Sequence, residues 1–254
     1  MISILIPTWQ NLNYLKTCIE SIKRNTVVNY EIAVYASGAS GGVVKYLDSC
    51  PNTVYITSKK NDGVSVPMNR LRDKAKYGWL VCANDDFVFL PDWDTELFNG
   101  IKKYNLKGDF WLCGTMIEPS VKQNFGMIQA NFGRTANKFE YGKLLKVYKD
   151  YKMTDFKNSS SFPLMIHKNT WDKFGGWDEE VFARASDIFF AARAYTAGVK
   201  TFYQTNKSRV YHFMCKTTSR VLGKNDALWL FKKKYGMYPK DWRRKYMAKE
   251  AING

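Results

Sequence analysis

The chain is poor in the features that would staple it, anchor it or export it, and in its second half it is poor in acid. Its five cysteines, Cys18, Cys50, Cys82, Cys113 and Cys215, are odd in number, widely scattered and free of any CxxC spacing. That argues against a disulfide framework and a structural zinc site, and a reducing cytosol is the expected compartment. Nowhere do eighteen apolar residues run together, which excludes a membrane-spanning helix. Ile2 to Ile6 reads as a strand from the start, with no basic n-region before it, and Pro7 arrives before a signal h-region could form. No internal repeat, low-complexity linker or long structureless gap interrupts the 254 residues, so one continuous fold is expected.

What is present is a globular composition, 45% apolar and 16% aromatic, enough for one large core or two small ones and incompatible with disorder. The net charge of +16 is unevenly placed. Residues 1–100 hold 10 basic and 10 acidic residues, residues 101–254 hold 29 and 13, and the last 54 alone hold 13 and 3. A neutral half joined to a basic half implies a polyanionic partner for the latter: nucleic acid, anionic lipid, or a phosphorylated or acidic glycan. The plainer alternative is a cationic, soluble surface.

Buried strands are expected at Ile2–Ile6, Glu31–Tyr35, Val54–Thr57 and Trp79–Ala83, alternating with helices. Those helices follow the spacing of Leu12, Leu15, Ile19 and Ile22, with Asn11 or Asn13 as cap, then Val43, Val44 and Leu47, then Val64 to Ala75. Strands alternating with helices imply a parallel α/β sheet wound through right-handed crossovers. Beyond Asp94 the spacing predicts a helix at Thr95–Tyr104 and strands or hairpins at Phe110–Glu118 and Gln123–Phe132. Lys138–Lys157 reads as a basic connection, Ser161–His167 as a strand and Thr170–Gly176 as a short helix. Ala183–Ala197 follows as an amphipathic helix, then two strands at Thr201–Gln204 and Val210–Phe213, then helices at Asn225–Tyr235 and Pro239–Ala251.

The stretch around which these elements are organised is Gly78 to Asp94, where an apolar run ends in Asn84, Asp85 and Asp86. The carboxyl end of a strand is where open α/β sheets place ligands. Two adjacent carboxylates there are most simply relieved by a divalent cation with oxygen ligands, Mn²⁺ or Mg²⁺. The alternative is a solvated turn before the helix that Pro91 begins.

With IPTWQN at 6–11, NDGVSVPMN at 61–69, NDDFVFLPDWD at 84–94, GGWDEEVF at 175–182, SDIFFAAR at 186–193 and VYHF at 210–213, the chain resembles the family 2 nucleotide-sugar glycosyltransferases over roughly residues 1–215. The resemblance implies the GT-A fold, a Rossmann-like, mostly parallel sheet flanked by helices. It divides residues 1–215 into a donor-binding half at 1–100 and an acceptor-binding and catalytic half at 101–215, and beyond it the charge and spacing give a basic helical extension at 216–254. It implies an inverting, metal-dependent transferase that moves a sugar from a nucleotide-diphosphate donor, first of all a UDP-sugar, to an acceptor hydroxyl, and the charge of the second half adds that the acceptor is polyanionic. That acceptor is a surface or lipid-linked glycan, or a hydroxymethylated DNA base. A cytoplasmic location follows, a host cytoplasm if the chain is phage-encoded, with peripheral contact at the inner membrane face.

Residue by residue, the resemblance places Asp86 as direct metal ligand with His212 completing the shell, and Asp187 as general base. Pro7, Thr8, Asn61, Gly63, Asn69, Arg70, Asn84 and Asp85 fall in the donor pocket, and Trp177, Asp178 and Glu179 in the acceptor turn. Beyond the resemblance, the hydroxyls and cations of Lys216, Thr217, Thr218, Ser219 and Arg220 suit a mobile loop closing over the diphosphate, the alternative being a merely exposed loop. The chemistry is consistent with each role, because an acceptor hydroxyl needs a carboxylate to take its proton and a leaving diphosphate needs a cation. Structural alternatives stand beside these roles: Asp187 as a helix cap, His212 as a backbone-bonded strand-end histidine, and Asp178 with Glu179 as cap residues. The chain departs from its relatives after the second strand, where Tyr35, Ala36, Ser37 and Gly38 replace the acid that reads the base. The aromatics Trp229, Phe231, Tyr235, Tyr238, Trp242 and Tyr246 interleave with lysines and arginines, as stacking surface or as helix-docking core. The reading from another class is a non-catalytic nucleic-acid-binding protein on a degenerate transferase fold.

Overall fold

The central strand β1 (Ile2–Trp9) is apolar on both sides because both of its faces are covered: Leu5 enters one core, and Ile2, Ile4 and Ile6 enter the other. The structure, a computed structural model, describes residues 1–120, 126–214 and 226–252. The first half follows the expected alternation, with α1 (Leu12–Asn25), β2 (Tyr30–Ser37), α2 (Gly41–Asp48), β3 (Thr53–Thr57), α3 (Ser65–Lys74) and β4 (Trp79–Cys82). β1 pairs in parallel with β2 and β4, so Leu5 stands level with Ala33 on one side and Cys82 on the other. All three strands end at one edge, and the 84–86 triplet leaves from it.

The second half is less regular. It runs β5 (Phe87–Phe89), α4 (Trp93–Lys103), β6 (Phe110–Glu118), β7 (Ile128–Gln129), α5 (Tyr141–Val147), β8 (Asp155–Lys157), β9 (Leu164–His167), α6 (Lys168–Phe174), α7 (Ser186–Thr196) and β10 (Thr201–His212). It ends in α8 (Asp226–Tyr235), α9 (Pro239–Tyr246) and β11 (Glu250–Ile252). The sheet order is β11-β8-β10-β6-β9-β4-β1-β2-β3, with β5 on β10 and β7 on β6. The β1–β4 and β6–β10 pairs are parallel, and β9 joins the two groups by running antiparallel to both β4 and β6.

Helices α1, α2 and α4 cover one face of the sheet; α3, α6, α7, α8 and α9 cover the other. The C-terminal helices dock on α7 through aromatic contacts, Phe231 at 4.9 Å from Phe189 and Trp242 at 5.7 Å from Tyr195. Such edge-to-face pairs contribute about 0.5–1.5 kcal/mol each beyond the area they bury.

Five expectations need correction. The strands expected at 201–204 and 210–213 are one strand, β10, irregular between Gln204 and Arg209. There the Asn206 amide donates to Asp155 and the Arg209 guanidinium to the carbonyls of Tyr148 and Tyr151, so the polar residues that read as a break are satisfied without leaving the sheet. Within Gln123–Phe132 only Ile128–Gln129 is strand among the described residues, and the 138–157 connection contains α5 and β8. The last helix stops at Tyr246, and Glu250–Ile252 adds an edge strand to β8, so the extension is not purely helical. The helix expected from Ala183 begins at Ser186, after Ala185 in the left-handed region at φ 62°.

Candidate active site

The acidic triplet is drawn into the protein rather than left in solvent: Asp85 and Asp86 are both buried. The Thr8 hydroxyl at the end of β1 donates to one Asp85 oxygen at 2.6 Å, and the Asn11 amide donates to the other at 3.2 Å. The pairing of β1 with β4 enforces this contact, since both strands run out at the same edge. Asn11, one of the expected caps of α1, makes no capping bond with its side chain and serves the site instead. Cys18 also borders the triplet, its thiol 3.6 Å from the Asn84 carbonyl. Burial, reinforced by the charges of Asp85 and Asp86, pushes that thiol well up, so it stays protonated and unreactive.

Asp86 meets the end of β10 directly and, through His212, the end of β6. β5 turns back antiparallel to β10 with Phe87 opposite His212, and the Phe213 amide donates to the Asp86 carbonyl at 3.2 Å. This brings His212 Nε2 to 3.4 Å from Asp86 Oδ1, while its Nδ1 lies 2.6 Å from Glu118 Oε1 at the end of β6. Burial by itself would lower the histidine's pKa, but the Asp86 charge and the bonds to Asp86 and Glu118 outweigh it and push it up to about 10. With no metal bound, the imidazole is held as a cation between two carboxylates, and a metal ion would have to displace its Nε2 proton to bind there.

Glu118 was absent from the sequence reading. Its signal was its place as the last residue of an otherwise apolar strand, but only the parallel register of β6 with β10 identifies His212 as its partner.

A divalent cation fits this donor set. The pocket already favours positive charge, Glu118 fixes the ring with Nε2 toward Asp86, and a carboxylate orienting a ligating histidine is the usual outer shell of such sites. No group of three metal-ligating side chains occurs among the described residues.

A second cluster joins the 61–69 segment to the 175–182 turn. Asn61 accepts from the Gly63 amide at 3.0 Å and shapes the loop. The Val64 amide donates to the Phe182 carbonyl at 2.6 Å, and the Ser65 hydroxyl to the Val181 carbonyl at 2.7 Å. Asn69 bridges the two segments, donating to the Trp177 carbonyl and to Glu179, each at 2.9 Å, and accepting from the Trp177 amide. Trp177 is buried and stacked on Phe190 at 4.5 Å, so its ring packs the core. Asp178 is buried as well and ion-paired to Lys234 of α8 at 2.7 Å; Glu179 is exposed. Pro7 lies within β1, and Arg70 is exposed on α3. Tyr35 donates to Asp62 at 3.0 Å, which places a carboxylate beside the segment where the relatives' acid is missing.

Asp187 stands in the first turn of α7, half-exposed, 3.4 Å from the Arg243 guanidinium of α9. Lys216, Thr217, Thr218, Ser219 and Arg220 lie outside the described residues.

Comparison with known proteins agrees with this architecture. The profile described as Glycosyl transferase family 2 matches residues 3–157, so the chain belongs to that family. Glycosyltransferase GlyA of Streptococcus pneumoniae serotype 4 (strain ATCC BAA-334 / TIGR4) is 26% identical over 106 residues, 41% of this chain and 15% of the relative. Chondroitin synthase of Pasteurella multocida (strain Pm70) is 26% identical over 95 residues, 36% of this chain and 10% of the relative. The chain therefore aligns with only a small part of these curated relatives. Among solved structures, S. aureus TarS 1-349 in complex with UDP-GlcNAc superposes with a TM-score of 0.59 at 13% identity, covering 83% of this chain and 57% of that one. The shared fold is the GT-A architecture.

Proposed function

We propose that the protein is an inverting glycosyltransferase that uses a UDP-sugar and a divalent cation, Mn²⁺ or Mg²⁺, to glycosylate a hydroxyl of an anionic glycan. The observation that carries this reading is the convergence of Asp86, His212 and Glu118 at the sheet edge where Asp85 is fixed by Thr8 and Asn11. The UDP-GlcNAc bound in a fold neighbour supports the donor class, and the chondroitin and hyaluronan synthases among the relatives support a glycan acceptor. The basic C-terminal half supports an anionic one.

Asp86 and His212 would hold the cation, whose chemistry is to offset charge developing on the departing diphosphate. Asp85, gripped by Thr8 and Asn11, keeps the triplet in one geometry while Glu118 orients His212. Asp187 takes the proton of the acceptor hydroxyl as that oxygen bonds to the anomeric carbon. The bond from that carbon to the diphosphate oxygen breaks, and its electron pair leaves with UDP. One displacement needs one base and inverts the anomeric configuration.

The test is UDP release from a panel of UDP-sugars, with Mn²⁺ or with chelator, and assignment of the product anomer by NMR. Asp187→Asn should cut transfer by at least about 10²-fold, the scale of a general base, and leave UDP binding intact. Asp86→Asn should lose metal-dependent UDP binding. Wild-type activity in excess chelator, or an active Asp187→Asn enzyme, would contradict the reading.

A further inference from the structure

Asp187 does not open onto plain solvent. It lies in a cleft of about 950 Å³ between the start of α7 and the helices α8 and α9, within the size range of ligand sites. The other charged residues lining it are all cationic: Arg184, Lys240, Arg243 and Arg244. A base that served a neutral acceptor would gain nothing from four cations around one carboxylate. They suit an acceptor that brings negative charge with it.

Arg243 is the residue in direct contact with Asp187. Their contact is 3.4 Å long between side chains 51% and 46% exposed, and an ion pair that exposed contributes little and exchanges partners readily. A phosphate or carboxylate offers the guanidinium the bidentate partner it prefers. Tyr238 forms one lip of the cleft, and Trp229, 65% exposed, stands beside it with ring centroids 6.0 Å apart. Lys232 lies over both rings, at 5.3 and 4.8 Å. An exposed aromatic pair at the mouth of a polar cleft is the usual platform for the C–H face of a sugar ring. Of the other C-terminal aromatics, Phe231 and Trp242 are buried and Tyr235 and Tyr246 are half-buried against them, so the platform is too short for successive stacked bases.

We propose that the cleft between α7 and α9 receives an anionic glycan strand, one sugar ring against Tyr238 and Trp229 and a charged group on Arg243, and that this group draws Arg243 away from Asp187. The carboxylate then faces the acceptor hydroxyl while the anionic group occupies the guanidinium. This rests on Asp187 being the base and makes Arg243 the residue that selects a charged acceptor. The charge can be a uronate or a phosphodiester, both of which present two oxygens to a guanidinium.

The experiment follows UDP release by wild type, Arg243→Ala and Arg243→Lys. The probes are a neutral chito-oligosaccharide, a hyaluronan hexasaccharide, a poly(glycerol phosphate) chain, duplex DNA, and water alone. The expected result is a wild-type kcat/KM at least tenfold higher for one of the two anionic glycan probes than for the neutral one. That ratio should fall within threefold of unity in Arg243→Ala and be partly restored in Arg243→Lys, while hydrolysis in water should stay within threefold of wild type in both. The hexasaccharide and the poly(glycerol phosphate) separate uronate from phosphodiester. A wild-type ratio preserved in Arg243→Ala, or DNA as the best acceptor, overturns the proposal while leaving the transferase reading in place. No UDP release by wild type on any probe, or full activity of Asp187→Asn, overturns both.

Discussion

Gly63 sits where the 61–69 loop presses against the 175–182 turn, and replacing it with alanine tests whether those two segments form one rigid wall. Its φ is +76°, and a Cβ there would fall 2.0 Å from the Phe182 carbonyl oxygen and 2.8 Å from the carbonyl carbon. Two costs follow from this geometry. A left-handed conformation for a residue with a side chain costs about 1–2 kcal/mol. Moving the Phe182 carbonyl aside gives up its 2.6 Å bond from the Val64 amide, about 0.5–1.5 kcal/mol. Together the loss is about 1.5–3.5 kcal/mol, which for a chain of this size lowers Tm by roughly 3–14 °C. Gly41, at the start of α2, is the control: an added Cβ meets nothing within 4 Å and needs no unusual φ, so Gly41→Ala should be neutral or mildly stabilising. Thermal and urea unfolding read the stability, and titration with UDP reads the wall. Gly63→Ala should weaken UDP binding as well as stability, and a variant melting within about 2 °C of wild type with unchanged UDP affinity would refute the reasoning.

Two further substitutions test the polar frame. Glu118→Gln keeps an acceptor for His212 Nδ1 but removes the charge, so the Mn²⁺ concentration for half-maximal UDP release should rise about 10–100-fold while the fold persists; an unchanged metal requirement would separate Glu118 from the site. Asp155 is buried and accepts from Asn206 at 2.6 Å and from Lys103 at 2.7 Å. Burial pulls its pKa up, but Lys103, Tyr104 and Asn206 together hold it below the ordinary carboxylate value. A depressed folded pKa means stability present above the unfolded value and lost as pH falls through the folded one. Asp155→Asn should therefore cost about 1–3 kcal/mol at pH 7, since Lys103 can return to water, and the gap should narrow toward pH 3. Urea melts at the two pH values decide it, and a constant gap would mean that the charge of Asp155 contributes nothing.

Much of this protein was legible in its residues because the relevant physics is local. The apolar run of Ile2 to Ile6 commits β1 to a doubly covered strand whatever surrounds it, and the helices that alternate with β1 to β4 leave a parallel sheet as their natural arrangement. The triplet Asn84, Asp85 and Asp86 was legible as an acidic cluster at the carboxyl end of such a strand, and the structure buries Asp85 and Asp86 there. What the sequence could not determine was pairing between distant segments. That β9 would run antiparallel between β4 and β6, that β5 would fold back to set Phe87 against His212, and that β6 would end with Glu118 beside the same ring are matters of register, in which each partner lies many residues away. Charge behaved the same way. The surplus of lysine and arginine was plain from composition, but the placing of Arg243 against Asp187 came from aromatic docking of α8 and α9 on α7, a long-range packing choice that no local pattern encodes.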